Sequence, residues 1–136
     1  MLYFAPRLAA RRFVMAIKKT GIRAQQADQT RARILQAAVK VFTRDGYSGG
    51  RVDTISKAAD SNDRMLYYYF GSKEHLFVCV LEHVYEQFNK AESKLKLDLG
   101  DPVQALRERV AFIWSYYVKH PEFVAILSIE NLHQGK

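Results

Sequence analysis

The sequence predicts an all-α protein. Three observations carry that expectation. Apolar residues recur at three- and four-residue spacing almost throughout, and capping and stop residues punctuate those runs. No stretch alternates apolar and polar residues for the length of a useful strand, and no internal repeat is present.

The first helix is expected over about Asp28–Asp45. Ile34, Leu35, Ala37, Ala38, Val41 and Phe42 share one face, Asp28 or Thr30 can cap the start, and Gly46 is a natural stop. After Gly46-Tyr47-Ser48-Gly49-Gly50 a short second helix is expected over Arg51–Ala59, with Ile55, Ala58 and Ala59 inward. Asp60-Ser61 form a tight turn. Asn62 then caps a third helix, Asp63–Phe70, anchored by Leu66 and Phe70 and ended by Gly71. Ser72 caps a long fourth helix, Lys73–Lys96, striped by Leu76, Phe77, Val80, Leu81, Val84 and Phe88. Gly100 breaks the chain, and Asp101 caps a fifth helix with Pro102 at its first position, where the missing N–H costs nothing. Val103, Leu106, Val110, Ile113, Trp114 and Tyr117 run along its face. His120-Pro121 interrupts again, and a sixth helix starts with Phe123, Val124, Ile126 and Leu127 and runs to Lys136.

Composition narrows the function classes. The 136 residues are 49% hydrophobic, enough for a globular core. One cysteine, Cys79, excludes an internal disulfide framework. The net charge of +7 is uneven. Residues 1–33 hold Arg7, Arg11, Arg12, Lys18, Lys19, Arg23, Arg31 and Arg33 against Asp28 alone, and the rest of the chain balances to zero. A basic arm on a neutral body points to a polyanion, nucleic acid before membrane. The most apolar stretch, 111–129, is interrupted by Lys119-His120-Pro121-Glu122, so no transmembrane span is expected. Residues 1–17 lack the apolar core and cleavage site of a secretory signal; they read as an amphipathic transit segment or as sequence ahead of a start at Met15.

Two short helices joined by a tight turn, with a third packed before them, make a helix-turn-helix unit. The N-terminal end of its second helix must face the major groove, so residues there should form hydrogen bonds or carry charge rather than fill a core. Asn62, Asp63, Arg64 and Met65 fit. Tyr67, Tyr68 and Tyr69 are consecutive, and at about 100° per residue at least one hydroxyl must reach outward, toward phosphate.

The run Thr30-Arg31, Ile34-Leu35, Ala37-Ala38, Val41-Phe42, Gly46-Tyr47, Val52, Ile55, Ala58-Ala59, Leu66-Tyr67-Tyr68-Tyr69-Phe70, Gly71-Ser72-Lys73-Glu74 and Leu76 resembles the DNA-binding domain of the TetR family of bacterial transcriptional regulators. The resemblance spans roughly residues 28–80. It implies a three-helix helix-turn-helix domain over 28–75, preceded by a basic, disordered arm over 1–27. Residues 76–136 then form the long helix and the first helices of a partial ligand-binding and dimerisation domain. It also implies a cytoplasmic homodimer that binds a pseudo-palindromic double-stranded DNA operator, usually as a repressor responsive to a small-molecule effector. By position, Tyr67, Tyr68 and Tyr69 match phosphate or sugar contacts, Lys73 a phosphate contact at a helix N-terminus, and Arg51 a backbone contact. Asn62, Asp63, Arg64 and Met65 fall at the base-reading end. Lys18, Lys19, Arg23 and Arg31 are candidate arm contacts. A ligand moving the fourth helix relative to the first would respace the two recognition helices of a dimer.

The sequence departs from the family in three places. Gly50 stands where the second helix usually has a Thr cap. Asp60-Ser61 replaces a Gly and an apolar residue, so Asp60 must take the left-handed conformation at a cost. A carboxylate at Asp63 faces phosphates badly unless it accepts from a cytosine amino group or pairs with Arg64 or Arg31. Family members also continue well past this length, so the ligand pocket and dimer face are expected to be incomplete.

Other readings have less behind them. Phe112, Trp114, Tyr116 and Tyr117 are candidate effector-pocket residues, though at helical spacing such aromatics are more often core. His75, His83, His120 and His133 do not have metal-ligand spacing, and no metal or cofactor is expected. Cys79 reads as a packed thiol. No residue set has catalytic spacing, so an enzyme is not expected. The alternatives to a specific regulator are a non-specific nucleic-acid or anionic-surface binder driven by the arm, and a regulator fragment whose Phe123, Ile126 and Leu127 lie exposed.

Overall fold

The computed structural model describes the backbone over residues 5–134 and side chains over residues 21–132. Six helices follow one another: α1 (Ala5–Gly49), α2 (Val52–Ala58), α3 (Asp63–Phe70), α4 (Lys73–Ser93), α5 (Pro102–Lys119) and α6 (Pro121–Gln134). Among the described residues there is no strand, and no helix is long and apolar enough to cross a membrane. The all-α expectation is met.

Helix α1 begins far upstream of Asp28. Residues 5–27, expected as a disordered arm, continue the helix, because apart from Pro6 in the first turn and Gly21 they are mostly good helix formers such as Ala, Arg, Lys and Gln. Asp28 and Thr30 therefore do not cap. Thr30 donates its hydroxyl back to the Gln26 carbonyl at 2.9 Å, as a mid-helix threonine does. The expected stop is real: Gly46 has φ +74° and ψ 179°, a conformation open only to glycine, and there the chain leaves helical geometry.

The three cap expectations hold. Asn62 accepts from the Met65 N–H (2.9 Å), Ser72 from His75 (3.0 Å) and Asp101 from Gln104 (3.2 Å). Helix α4 ends at Ser93 rather than Lys96 as the backbone tightens, with the Leu95 N–H donating to Glu92. Helix α6 starts at Pro121 rather than Phe123. Proline lacks the N–H that a first turn leaves unsatisfied, so it opens this helix as Pro102 opens α5.

One core runs through both halves. Ile34, Ala38, Val41 and Phe42 of α1 meet Ile55 of α2, Leu66 and Phe70 of α3, and Leu76, Phe77 and Val80 of α4. The same cluster continues through Val84 to Tyr116, Phe123 and Ile126. Phe88 lies stacked on Phe123 at 5.1 Å and edge-on to Tyr116 at 5.0 Å. Phe123 and Ile126, expected to be exposed, are buried, and Leu127 is half-buried, because α6 packs on α1 and α4. The exposed apolar face belongs to α5 instead: Val103, Leu106, Val110 and Trp114 point to solvent, while Ala105 and Tyr116 face inward. Ala58 is exposed too, and Ser56 takes the inward place on α2.

Gly50 is buried, and a Cβ there would lie 2.5 Å from the ring of Phe42, itself fully buried. The missing Thr cap is thus a packing requirement, and α2 starts without a side-chain cap. Gly50→Ala should destabilise the fold by about 1–3 kcal/mol through overpacking, measured as a fall in urea midpoint; an unchanged midpoint would show that the Phe42 ring can yield.

Candidate nucleic-acid interface

The α2–turn–α3 unit is held by a short backbone network. The Asp60 N–H donates to Lys57 (3.1 Å) and the Ser61 N–H to Ser56 (2.9 Å), closing α2. Asp60 takes φ +53°, as the departure from glycine required. Ser61 is half-buried and carries the chain to Asn62, whose extended backbone launches α3. Leu66 and Phe70 are buried against α1 and α4. This anchoring fixes the opposite side of α3, and it leaves the N-terminal tip in solvent.

At that tip Asn62, Asp63 and Arg64 are exposed and Met65 is half-buried. The Asn62 side-chain oxygen is committed to its cap bond, so its NH2 group is what remains for another partner. Among the described residues, neither Asp63 nor Arg64 makes an ion pair or a side-chain hydrogen bond. The three tyrosines separate as the helical angle requires. Tyr68 is 78% exposed and Tyr67 47%, while Tyr69 is half-buried and edge-on to Tyr68 at 5.2 Å.

The flanking cations are not all free. Arg51 forms a pair of hydrogen bonds to Asp53 (3.1 and 3.4 Å). Desolvation pushes the Asp53 carboxyl up, but the charge and hydrogen bond of Arg51, with the Thr54 N–H, outweigh it and hold the group below the usual range. Lys73 lies over the Tyr47 ring at 4.6 Å, on the first turn of α4, where the unpaired N–H groups add positive potential. Arg31 does not extend as an arm contact. It sits over the Phe70 ring at 4.8 Å, bracing the C-terminal end of α3. Arg23 is exposed, and the side chains of Lys18 and Lys19 lie outside the described residues. Asp53 went unnoticed in the sequence and Tyr47 was read only as part of the turn after the first helix: an Arg-x-Asp spacing and a Gly-Tyr pair carry no sign of which cation they hold.

Of the candidate effector aromatics, Phe112 and Tyr116 join the aromatic core with Phe88, and Tyr117, though exposed, lies 5.9 Å from the Phe123 ring, while Trp114 is 72% exposed. A cleft of about 800 Å³ lies along α4 and is lined by Phe77, Val78, Leu81 and Tyr85 with Glu82 and Glu130. A smaller cleft joins Gln36 and Val39 of α1 to His83 of α4 and Glu122 of α6. Cys79 is buried, with its Sγ 3.7 Å from His75 Nε2. Burial pushes this thiol up despite nearby Arg31. Among the described residues no three His, Cys, Asp or Glu side chains gather as a metal-binding group.

Comparison with known proteins agrees with this geometry. Residues 34–80 match the family model for bacterial regulatory proteins of the tetR family, and residues 102–136 that for the tetracyclin repressor-like C-terminal domain. The HTH-type transcriptional repressor NicS of Pseudomonas putida is 69% identical over 121 residues, 89% of this chain and 57% of NicS. The HTH-type transcriptional repressor SCO4008 of Streptomyces coelicolor is 32% identical, over 82% of this chain and 55% of its own length. The chain thus spans a little over half the length of these curated relatives. Among solved structures, a TetR-like transcriptional regulator from Rhodococcus sp. RHA1 aligns with a TM-score of 0.67 at 27% identity, covering 78% of this chain and 58% of its own. HlyIIR, a hemolysin II transcriptional regulator, aligns with a TM-score of 0.61 at 32% identity, covering 74% of this chain and 56% of its own.

The left-handed Asp60 offers a direct check on the turn. Relief of about 1–2 kcal/mol of side-chain strain exceeds the roughly 0.5–1 kcal/mol of backbone entropy that glycine adds. Asp60→Gly should therefore raise thermal stability slightly; a lower midpoint would mean that the aspartate side chain itself supports the turn.

Proposed function

Because the chain belongs to the tetR family of bacterial regulatory proteins, we propose that it works as a sequence-specific DNA-binding transcriptional regulator, a repressor released by a small-molecule effector. The observation that carries this reading is the tip of α3. Asp63 and Arg64 are exposed without internal side-chain partners, the Asn62 NH2 group is left over from its cap bond, and Leu66 and Phe70 hold the helix behind them.

In this reading α3 enters the major groove of double-stranded DNA. Arg64 reads a guanine edge, the Asn62 amide donates to a base acceptor, and Asp63 and Met65 complete the base-facing set. Tyr67, Tyr68 and Tyr69 meet the sugar–phosphate backbone, and Lys73 adds a cation at the α4 N-terminus. Arg51 joins them only when phosphate competes with Asp53. Lys18, Lys19 and Arg23 add long-range attraction.

The operator proposed is a pseudo-palindrome read by a homodimer in the cytoplasm. The domain roles proposed are DNA binding over 28–75 and dimerisation with ligand binding beyond. No catalytic, membrane or cofactor role is proposed. An effector that shifts α4 changes the Phe42–Phe77 contact, which sets how α1 and α3 sit on it. Such release requires two states with different ligand affinity. The relatives are named as HTH-type transcriptional repressors, which favours this reading over non-specific binding through the basic segment.

Selection from a random DNA pool at two salt concentrations tests the proposal, and an enriched site is the expected result. Tyr68→Phe should then weaken binding to all sequences alike. Lys73→Ala should lower the salt slope by about 1. Arg64→Ala should relax one base position, at a cost of about 1–3 kcal/mol. Salt-sensitive binding with no enriched site would overturn sequence-specific recognition.

A further inference from the structure

We propose that Asp63 is a specificity-determining residue that selects a cytosine in the DNA site, by accepting a hydrogen bond from the cytosine 4-amino group. The inference rests on the DNA-reading function proposed above and assigns to one residue a base that family membership does not supply.

A carboxylate beside the phosphates of DNA weakens binding to every sequence unless it is neutralised or given a donor. Three arginines described above leave it unserved. Arg31 is held over the Phe70 ring at 4.8 Å. Arg51 is held by Asp53. Arg64, the next residue, makes no ion pair with it. Asp63 is exposed, and no side-chain donor on the protein reaches it.

Its position in the helix excludes withdrawal from the groove. Asp63 is the first residue of α3, directly after the Asn62 cap, and the cap bond to the Met65 N–H fixes the backbone there. The first turn of the second helix is the part of a helix-turn-helix unit that meets base edges. Of the base edges in the major groove, only cytosine N4 and adenine N6 carry amino donors. Adenine sets its acceptor N7 beside that donor, which a carboxylate meets unfavourably, whereas the cytosine edge offers the donor alone.

The neighbour agrees with the choice. Arg64 is a free guanidinium suited to the O6 and N7 acceptors of guanine. Adjacent residues carrying an acceptor and a bidentate donor are complementary to a G·C-containing step. Arg64 takes the guanine, and Asp63 takes a cytosine of the same or the neighbouring pair. Asp63 therefore contributes by exclusion as well as attraction: on any site lacking the amino group the carboxylate stays unpaired and repelled.

The test compares the 136-residue chain with Asp63→Asn and Asp63→Ala, each checked for native helicity, by selection from a random pool and by titration on the selected site. The wild-type site should contain, beside the position that Arg64→Ala relaxes, a cytosine whose replacement weakens binding by about ten-fold. Asp63→Ala should keep the rest of the site and lose the preference at that position, Asp63→Asn, whose amide both accepts and donates, should extend it to adenine, and both should bind unrelated DNA more tightly. If a variant fails to fold, the wild-type protein on a site carrying 2-pyrimidinone in place of the cytosine supplies the same measurement, since that base lacks the 4-amino group. A ten-fold loss there supports the contact, and unchanged affinity overturns it. Any base other than cytosine at this position, or the same cytosine preference in Asp63→Ala, overturns the Asp63 assignment while leaving the regulator standing. Absence of any enriched site for wild type overturns both.

Discussion

The Phe42 ring joins the two strands of contact on which the recognition tip depends. It is fully buried, stacked on Tyr47 at 6.0 Å and edge-on to Phe77 at 5.3 Å, and it leaves no room for a side chain at residue 50. An aromatic ring in a close-packed interior transmits displacement rather than absorbing it. The angle between α1 and α4, the start of α2 and the position of Tyr47 are therefore set together. Tyr47 in turn carries Lys73, so the core is connected to the cation at the N-terminus of α4 through one ring face.

The charge at the exposed face is smaller than the composition suggests. Much of the +7 lies in the N-terminal part of α1, and two of the cations near the helix-turn-helix unit are already occupied, Arg51 by Asp53 and Arg31 by the Phe70 ring. What the tip of α3 presents is a mixed set of amide, carboxylate and guanidinium. In the proposed function such a set has little general attraction for phosphate and would discriminate between base edges through its arrangement of donors and acceptors, while general, salt-weakened attraction would fall to the basic segment.

Much of this was legible in the sequence wherever a local rule had no competitor. The bounds of α3 follow from Asn62 and Gly71, because a side-chain cap at one end and a positive-φ glycine at the other act on neighbouring residues alone. The start of α1 was not legible. Asp28 and Thr30 have the right chemistry for caps, but good helix formers precede them, and a helix with nothing to stop it continues. Apolar spacing correctly placed Leu66, Phe70 and Leu76 inside and failed on α5, where Val103, Leu106 and Val110 repeat correctly yet face solvent. Periodicity tells which residues share a side, not whether another element covers it. The same limit applies to the site. Three consecutive tyrosines guaranteed an outward hydroxyl, but which rings turn outward depends on how Leu66 and Phe70 seat the helix. The pairing of Arg51 with Asp53 depends on side-chain rotamers that spacing does not determine.

The uninterrupted core has a consequence for modularity. Leu76, Phe77 and Val80 close the underside of the helix-turn-helix unit, while Val84, further along the same helix, belongs equally to Phe123 and Ile126. A plane that separates the helix-turn-helix unit from α6 has to cut across α4. Recombination that exchanges one half for that of a distant relative must therefore carry α4 and its partners on α6 along with it. Descent with gradual substitution is then favoured over shuffling of interchangeable parts, and change is tolerated most readily at the few side chains of the α3 tip that the core does not touch.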